Sequence, residues 1–327
     1  MSIIEKAINK ALQRDGFQPR PEPAAAPVLE VPPEPVVSIP AEAAAVGGAV
    51  RPEALPPMGL SQLQEARRGG RHFPIDWPLL KDRGMLVPEL ATTQMAEEYR
   101  VIKRPLLMNA FPEEDNGIER ANLILVTSSV PGEGKTFTAV NLALSIAMER
   151  GRTVLLIDAD VAKPSIAGIL GIPAEVGLTD LLKDKSLSFS DVAIKTDIPN
   201  FTLMPAGKQD RHSTELLASD AMKQLANELS ARYPDRIVIF DSPPLLAATQ
   251  GAVLANVVGQ VVLVIEADST PQYIVQESIS KLGGCEVVGC VLNKTKKGFG
   301  FNYYGYFYGY GYGYGYGYYG QQQKGRG

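Results

Sequence analysis

The chain has 327 residues, 45% of them hydrophobic, enough for one good-sized core plus tails. A net charge of −4 argues against a general nucleic-acid binder. With no signal-peptide pattern and no long uncharged apolar stretch, the expectation is a cytoplasmic protein.

Residues 1–17 contain "SIIEKAINKAL", with Ser2 and Glu5 at capping-box spacing and Ile4, Ile8 and Leu12 on one face. A short amphipathic helix is predicted, its apolar face either packed on the protein's own core or docked on a membrane partner. Proline and alanine then dominate, which predicts a largely disordered linker over residues 18–90. "ATTQMAEEYRVIKRPLLMNAF" (91–111) reads as a helix with Met95, Tyr99 and Ile102 on one stripe, and Pro105 limits how far it runs unkinked.

From residue 121 apolar runs alternate with helical segments. "ANLILVTSS", "TVLLIDAD", "NFTLMPAG", "RIVIFDSPP", "GQVVLVIEAD" and "CEVVGCVLN" read as strands. "TFTAVNLALSIAMER", capped by Gly151, "STELLASDAMKQLANELSAR", opened by Ser213 or Thr214, and "PQYIVQESISKL" read as helices. This alternation predicts an α/β domain over residues 91–296 with a doubly wound, mainly parallel sheet. Cys285 and Cys290, in the last strand, are expected to be buried as small hydrophobes, a metal pair being the alternative. His72 and His212 stand alone and far apart, and suggest no metal site.

"SSVPGEGKT" (128–136) follows a strand and opens a helix, the context in which a P-loop match carries weight. Gly132 and Gly134 let backbone N–H groups turn toward phosphate oxygens, at the positive end of a helix. Lys135 is placed to reach β- and γ-phosphates and Thr136 to ligate Mg²⁺. Ser129 stands where the usual pattern has its first glycine. Two further strands end in carboxylates, Asp158 with Asp160, and Asp241. In a parallel sheet these strand ends line the ligand crevice, where carboxylates hold Mg²⁺ or accept a proton. Taken singly, each is also explained by a helix cap or a loop salt bridge.

Together, "SSVPGEGKT", "VLLIDADVAKP" and "IVIFDSPP" resemble the Walker A, A′ and B motifs of the bacterial tyrosine kinases, P-loop enzymes related to the MinD/ParA ATPases. "AEEYRVIKRPLL" resembles that family's E-x-x-R-x-x-R oligomerisation helix, carried by Glu97, Arg100 and Lys103. The wording of "DRIVIFDSPPLLAAT" and of the N-terminal helix is most similar to the exosortase-associated autokinases of exopolysaccharide clusters. The resemblance implies ATP and Mg²⁺ as cofactors, with Gly132, Glu133, Gly134, Lys135, Thr136, Phe137 and Asn293 around the nucleotide and Asn293 on adenine. It implies Thr136, Asp160 and Asp241 around Mg²⁺, and a catalytic set of Lys135, Asp158, Asp160 and Asp241 in which Asp158 takes the tyrosine proton. Ala162 stands where an arginine usually comes two residues after the second Walker A′ aspartate, and Lys103 replaces the last arginine of the oligomerisation motif.

Residues 297–327 break the pattern. Ten of the thirteen tyrosines fall here: Tyr303, Tyr304, Tyr306, Tyr308, Tyr310, Tyr312, Tyr314, Tyr316, Tyr318 and Tyr319. Alternating glycine denies this segment a core, and the resemblance makes it the enzyme's own substrate. The implied partners are a membrane chain-length-determinant-type activator, further copies in a ring and a protein-tyrosine phosphatase, with the protein held peripherally at the inner membrane. The competing function is a MinD/ParA-like ATPase switch that positions a membrane complex without phosphorylating anything.

Overall fold

The computed structural model describes residues 71–233, 235–285 and 287–295. The predicted helix at residues 1–17 and all ten clustered tyrosines lie outside these residues.

The described chain opens with β1 (Arg71–His72), α1 (Trp77–Asp82) and a 3₁₀ turn (Pro88–Leu90), followed by α2 (Gln94–Ala110), β2 (Leu123–Ser128), α3 (Lys135–Ala147) and β3 (Thr153–Asp158). Three short helices, α4 (Ile166–Leu170), α5 (Leu178–Lys183) and α6 (Phe189–Val192), lead to β4 (Ile194–Lys195) and β5 (Phe201–Met204). Then come α7 (Ser213–Leu217), α8 (Asp220–Arg232), β6 (Arg236–Asp241), α9 (Gln250–Ala255), β7 (Gln260–Glu266), α10 (Gln272–Ser280) and β8 (Val287–Asn293).

One sheet runs β1-β4-β5-β3-β6-β2-β7-β8, parallel except where β4 meets β5. The mainly parallel prediction holds, with an antiparallel turn at one edge. Alternate strand residues feed two cores. Ile124, Val126, Leu156 and Ile239 pack beneath α2 and α3, while Leu125, Leu155, Val238 and Phe240 face Leu178, Met222, Leu254 and Val275. The last ten residues of α3, Thr138 to Ala147, are all buried, because the helix lies between the sheet and α2. Its nearly all-round apolar sequence fits that position.

Several boundaries differ from expectation. The linker does not extend to residue 90. Phe73, Ile75, Leu80, Met85, Leu86 and Val87 are buried, and β1 pairs with β4. Asp197 fastens this segment by accepting from Ile75 N (2.9 Å) and Trp77 Nε1 (3.0 Å), while the Leu86 amide donates to Asn141 Oδ1 at 2.7 Å. Proline-rich composition masks these apolar anchors. The single long helix expected from Ser213 breaks in two, because the Ser219 hydroxyl accepts from the Met222 amide and starts α8 afresh. α3 ends at a Met148 cap, and Gly151, with φ 73°, turns the chain beyond it. Cys290 is exposed because β8 is an edge strand, and Cys285, just before that strand, is only half-buried, with its Sγ near Gly259 O and Val287 O. Among the described residues, no helix is long and apolar enough to cross a membrane.

Candidate active site

The strand order creates the site. β3 follows β2 in sequence, but β6 inserts between them, so the C-terminal ends of β2, β3 and β6 lie side by side. The loop after β2 curls over these ends. Gly132 and Gly134 hold φ of 93° and 94°, a left-handed conformation that costs glycine nothing. Gly134 caps α3, and a Cβ there would lie 2.1 Å from Asn293 Nδ2, so glycine is required on two counts. The amides of α3's first turn and the helix dipole together form an anion cradle.

Lys135 and Thr136 open α3 at that cradle. Lys135 Nζ lies 2.9 Å from Asp160 Oδ2 and 3.3 Å from Thr136 Oγ1. Asp160 Oδ1 in turn accepts from the Lys163 amide at 3.2 Å. Asp158 and Asp241 are register partners on adjacent strands, and both are buried. Asp158 Oδ2 accepts from the Ser165 and Ile166 amides at 2.9 and 3.0 Å. Asp158 Oδ1 and both oxygens of Asp241 have no hydrogen-bond partner among the described residues. Burial pushes Asp158 up to about 6, with Asp160 adding to the rise and the Ser165 and Ile166 amides opposing it. Burial pushes Asp241 up to about 7, opposed by Lys135 and by the Thr136 hydroxyl, which lies close by but outside hydrogen-bonding geometry, and reinforced by Asp158 and Asp160. Bare, buried carboxylate oxygens beside a hydroxyl and an ammonium suit a hard cation with oxygen ligands, so Thr136, Asp160 and Asp241 fit Mg²⁺.

Other expected contacts are placed differently. The Glu133 carboxylate turns away from the cradle. It is buried and accepts from Val130 N (2.8 Å), Glu266 N (3.3 Å) and Thr270 Oγ1 (2.5 Å). Only its backbone remains for a nucleotide. Phe137 packs against the core beneath α3. The Asn293 side chain, expected on adenine, donates from Nδ2 to the Glu133 carbonyl at 2.8 Å. Ala162 is exposed, and its carbonyl accepts from Gln209 Nε2 at 3.4 Å.

On α2, Glu97 and Arg100 pair on the exposed face, where Arg100 also donates to the Ala91 carbonyl at 2.6 Å. The expectation that Lys103 joins them is corrected. Lys103 is buried, and its ammonium donates to Ser145 O (2.8 Å) and Glu149 Oε2 (2.5 Å) at the far end of α3. Each three-residue step leaves a net turn of about 60°, so Lys103 stands about 120° round the helix from Glu97 and reaches the buried side. Sequence reasoning also missed Thr270 and the Ser165 and Ile166 amides. Thr270 and Ser165 lie in loops and Ile166 opens α4, and no local motif marks any of them.

A switch-point crevice with a glycine loop, a helix N-terminus and opposed carboxylates defines a P-loop nucleotide-binding protein. A family described as an AAA domain matches residues 121–280. Tyrosine-protein kinase YwqD of Bacillus subtilis is 35% identical over 203 residues, spanning 62% of this chain and 81% of that protein. Putative tyrosine-protein kinase CapB of Staphylococcus aureus is 30% identical over 213 residues, spanning 64% of this chain and 89% of its own. Among solved structures, the chimerical protein CapA2B2 superposes with a TM-score of 0.58 at 25% identity, over 72% of this chain and 99% of that one. The chain belongs to the bacterial protein-tyrosine kinases, and the tyrosine-kinase class expected from its motifs stands.

Proposed function

We propose that the enzyme transfers the γ-phosphoryl group of ATP to the tyrosines of its own 297–327 segment, and that this cycle regulates exopolysaccharide polymerisation or export. The observation that carries the reading is the Asp158–Asp241 pair, buried and only partly bonded, beside Lys135 and the glycine loop. Ten clustered tyrosines supply a substrate that a positioning ATPase does not need.

Transfer forms a bond from the phenolic oxygen to phosphorus, breaks the bond from phosphorus to the β–γ bridging oxygen, and sends the phenol proton to a carboxylate. Asp158 is the proposed acceptor. Two amides fix its Oδ2 and leave Oδ1 bare, and a pKa of about 6 keeps it mostly ionised yet basic at neutral pH. Lys135 orients the β- and γ-phosphates, while the backbone of Gly132, Glu133 and Gly134 cradles them. Thr136, Asp160 and Asp241 would hold Mg²⁺, which would supply positive charge near the phosphates. Glu97 and Arg100 form the outward subunit contact of a proposed ring in which one copy's tail reaches another's crevice. A membrane chain-length-determinant-type activator would hold that ring at the inner membrane, and a protein-tyrosine phosphatase would reset it.

The test is an anti-phosphotyrosine blot of purified protein after ATP and Mg²⁺, with tail peptides mapped by mass spectrometry. Labelling confined to Tyr303–Tyr319 supports the reading. ATP turnover with no labelled tyrosine would leave the ATPase switch instead.

A further inference from the structure

Glu133 presents a buried carboxylate in the middle of the phosphate loop that the chemistry does not use. The three donors to its carboxylate come from two places. Val130 lies within the loop itself, whereas Glu266 and Thr270 lie at and just beyond the end of β7. Its backbone carbonyl accepts from Asn293, the last residue of β8. The two strand ends are themselves joined, because the Ala267 amide donates to the Asn293 carbonyl at 2.9 Å and Lys294 Nζ pairs with Glu266 Oε2 at 2.9 Å.

We propose that Glu133 is a positioning residue whose buried carboxylate, clamped by Val130, Glu266 and Thr270, sets the shape of the phosphate loop and ties it to the ends of β7 and β8. The physical case rests on desolvation. A carboxylate this deep costs the fold unless its oxygens are filled, and each donor that fills them is thereby fixed in place. With the Val130 amide bound, the turn entering Gly132 is closed from inside. Gly134 remains pressed under Asn293, where no side chain fits. The loop therefore has little freedom to rearrange unless β7 and β8 move with it. Coupling of this kind is reciprocal: what steadies the loop steadies the strand ends, by the same free energy. The chain runs on from β8 into the tyrosine-rich segment, so the clamp connects nucleotide occupancy to the root of that segment. The inference rests on the loop holding ATP and is independent of where the phosphoryl group goes.

Full-length Glu133→Gln, Thr270→Val and Thr270→Ser test it. Gln places an amide where only an acceptor fits, Val deletes the hydroxyl at constant shape, and Ser restores it. Hydrogen exchange without nucleotide, calorimetric ATP–Mg²⁺ affinity and circular dichroism are measured on each. Glu133→Gln and Thr270→Val are expected to speed exchange at Val130 and Glu266 and to weaken ATP about tenfold, a loss of one charge-assisted hydrogen bond. Exchange at Leu155 and Leu156 in β3 should not change, and Thr270→Ser should stay within about twofold of wild type. In wild type, ATP should slow exchange at Ala267, and that slowing should shrink in Glu133→Gln. Unchanged exchange and affinity in a folded Glu133→Gln variant would overturn the clamp, as would a Thr270→Ser variant as impaired as Thr270→Val. If Glu133→Gln does not fold, the Val and Ser pair decides alone. Wild type that binds no nucleotide would overturn the functional reading, while exchange at Val130 would still decide the clamp.

Discussion

Glu133 and the Asp158–Asp241 pair are similarly buried and belong to the same end of the sheet, yet they are furnished in opposite ways. Both Glu133 oxygens accept from donors. Three of the four oxygens in the aspartate pair meet none among the described residues. A filled carboxylate holds loops together. A bare one burdens the fold and is expected where chemistry uses it. Burial alone therefore does not separate structural acids from functional ones at this crevice, whereas the state of their hydrogen bonds does.

The largest effect should come from the cation that serves the bare side. Lys135→Met is expected to reduce tail phosphotyrosine to background while circular dichroism stays unchanged, because Lys135 is the ammonium paired with Asp160 at the cradle. Wild-type labelling in a folded variant would remove the lysine from the mechanism. Next is Asp158→Asn, expected to slow phosphotransfer on the order of 10²–10⁴-fold while ATP–Mg²⁺ affinity changes only a few fold. Single-turnover labelling beside equilibrium binding checks it. If Asp241→Asn gives the same profile, the two aspartates share one role and the assignment of Asp158 as base fails.

The bare side of the comparison was the legible one. Walker-type segments place Lys135 and Thr136 at the start of α3 and Asp158, Asp160 and Asp241 at or just past strand ends, because a glycine loop and a strand-terminal carboxylate each leave a local signature. The filled side was not legible. Thr270 meets Glu133 across 137 positions of sequence, and Asn293 meets it across 160. Nothing local distinguishes a glutamate that turns inward from one that faces the crevice. The same limit explains the 71–90 segment, whose anchors meet Asp197 and Asn141 far along the chain. Lys103 failed for a geometric reason, since a motif letter does not say which side of the helix is covered.

That inward turn gives a contrast on α2. Arg100→Glu is expected to lower the particle size by light scattering with little change in melting temperature, since Arg100 is exposed. Lys103→Met should leave the size unchanged and cost about 1–3 kcal/mol of stability, because it strips the Ser145 carbonyl and Glu149 of their donor. A Lys103→Met variant that becomes monomeric without losing stability would return this residue to the interface.

The smallest effect concerns the burden carried by the bare pair. Asp241 holds its proton up to about pH 7 when folded, against an ordinary value near 3.8. Between those values the folded protein keeps a proton that the unfolded chain has released, so this group's contribution to stability falls as pH rises from about 4 to about 7. Below that window both states are protonated and the group is neutral to folding; above it the full burden of the buried charge is present. Asparagine cannot ionise, so Asp241→Asn should melt higher than wild type at pH 8, and the difference should vanish toward pH 4. At about 1.4 kcal/mol per unit of pKa, and with Asp158 sharing the repulsion, a gain of about 2 kcal/mol is expected. Glu133→Gln should melt lower than wild type, because the Gln amide meets the donors that the Glu133 oxygens accept from. Melting curves of wild type and both variants from pH 4 to pH 8 measure this directly. An Asp241→Asn variant less stable than wild type at pH 8 would mean that its oxygens are satisfied after all, and the distinction between the two kinds of carboxylate would collapse.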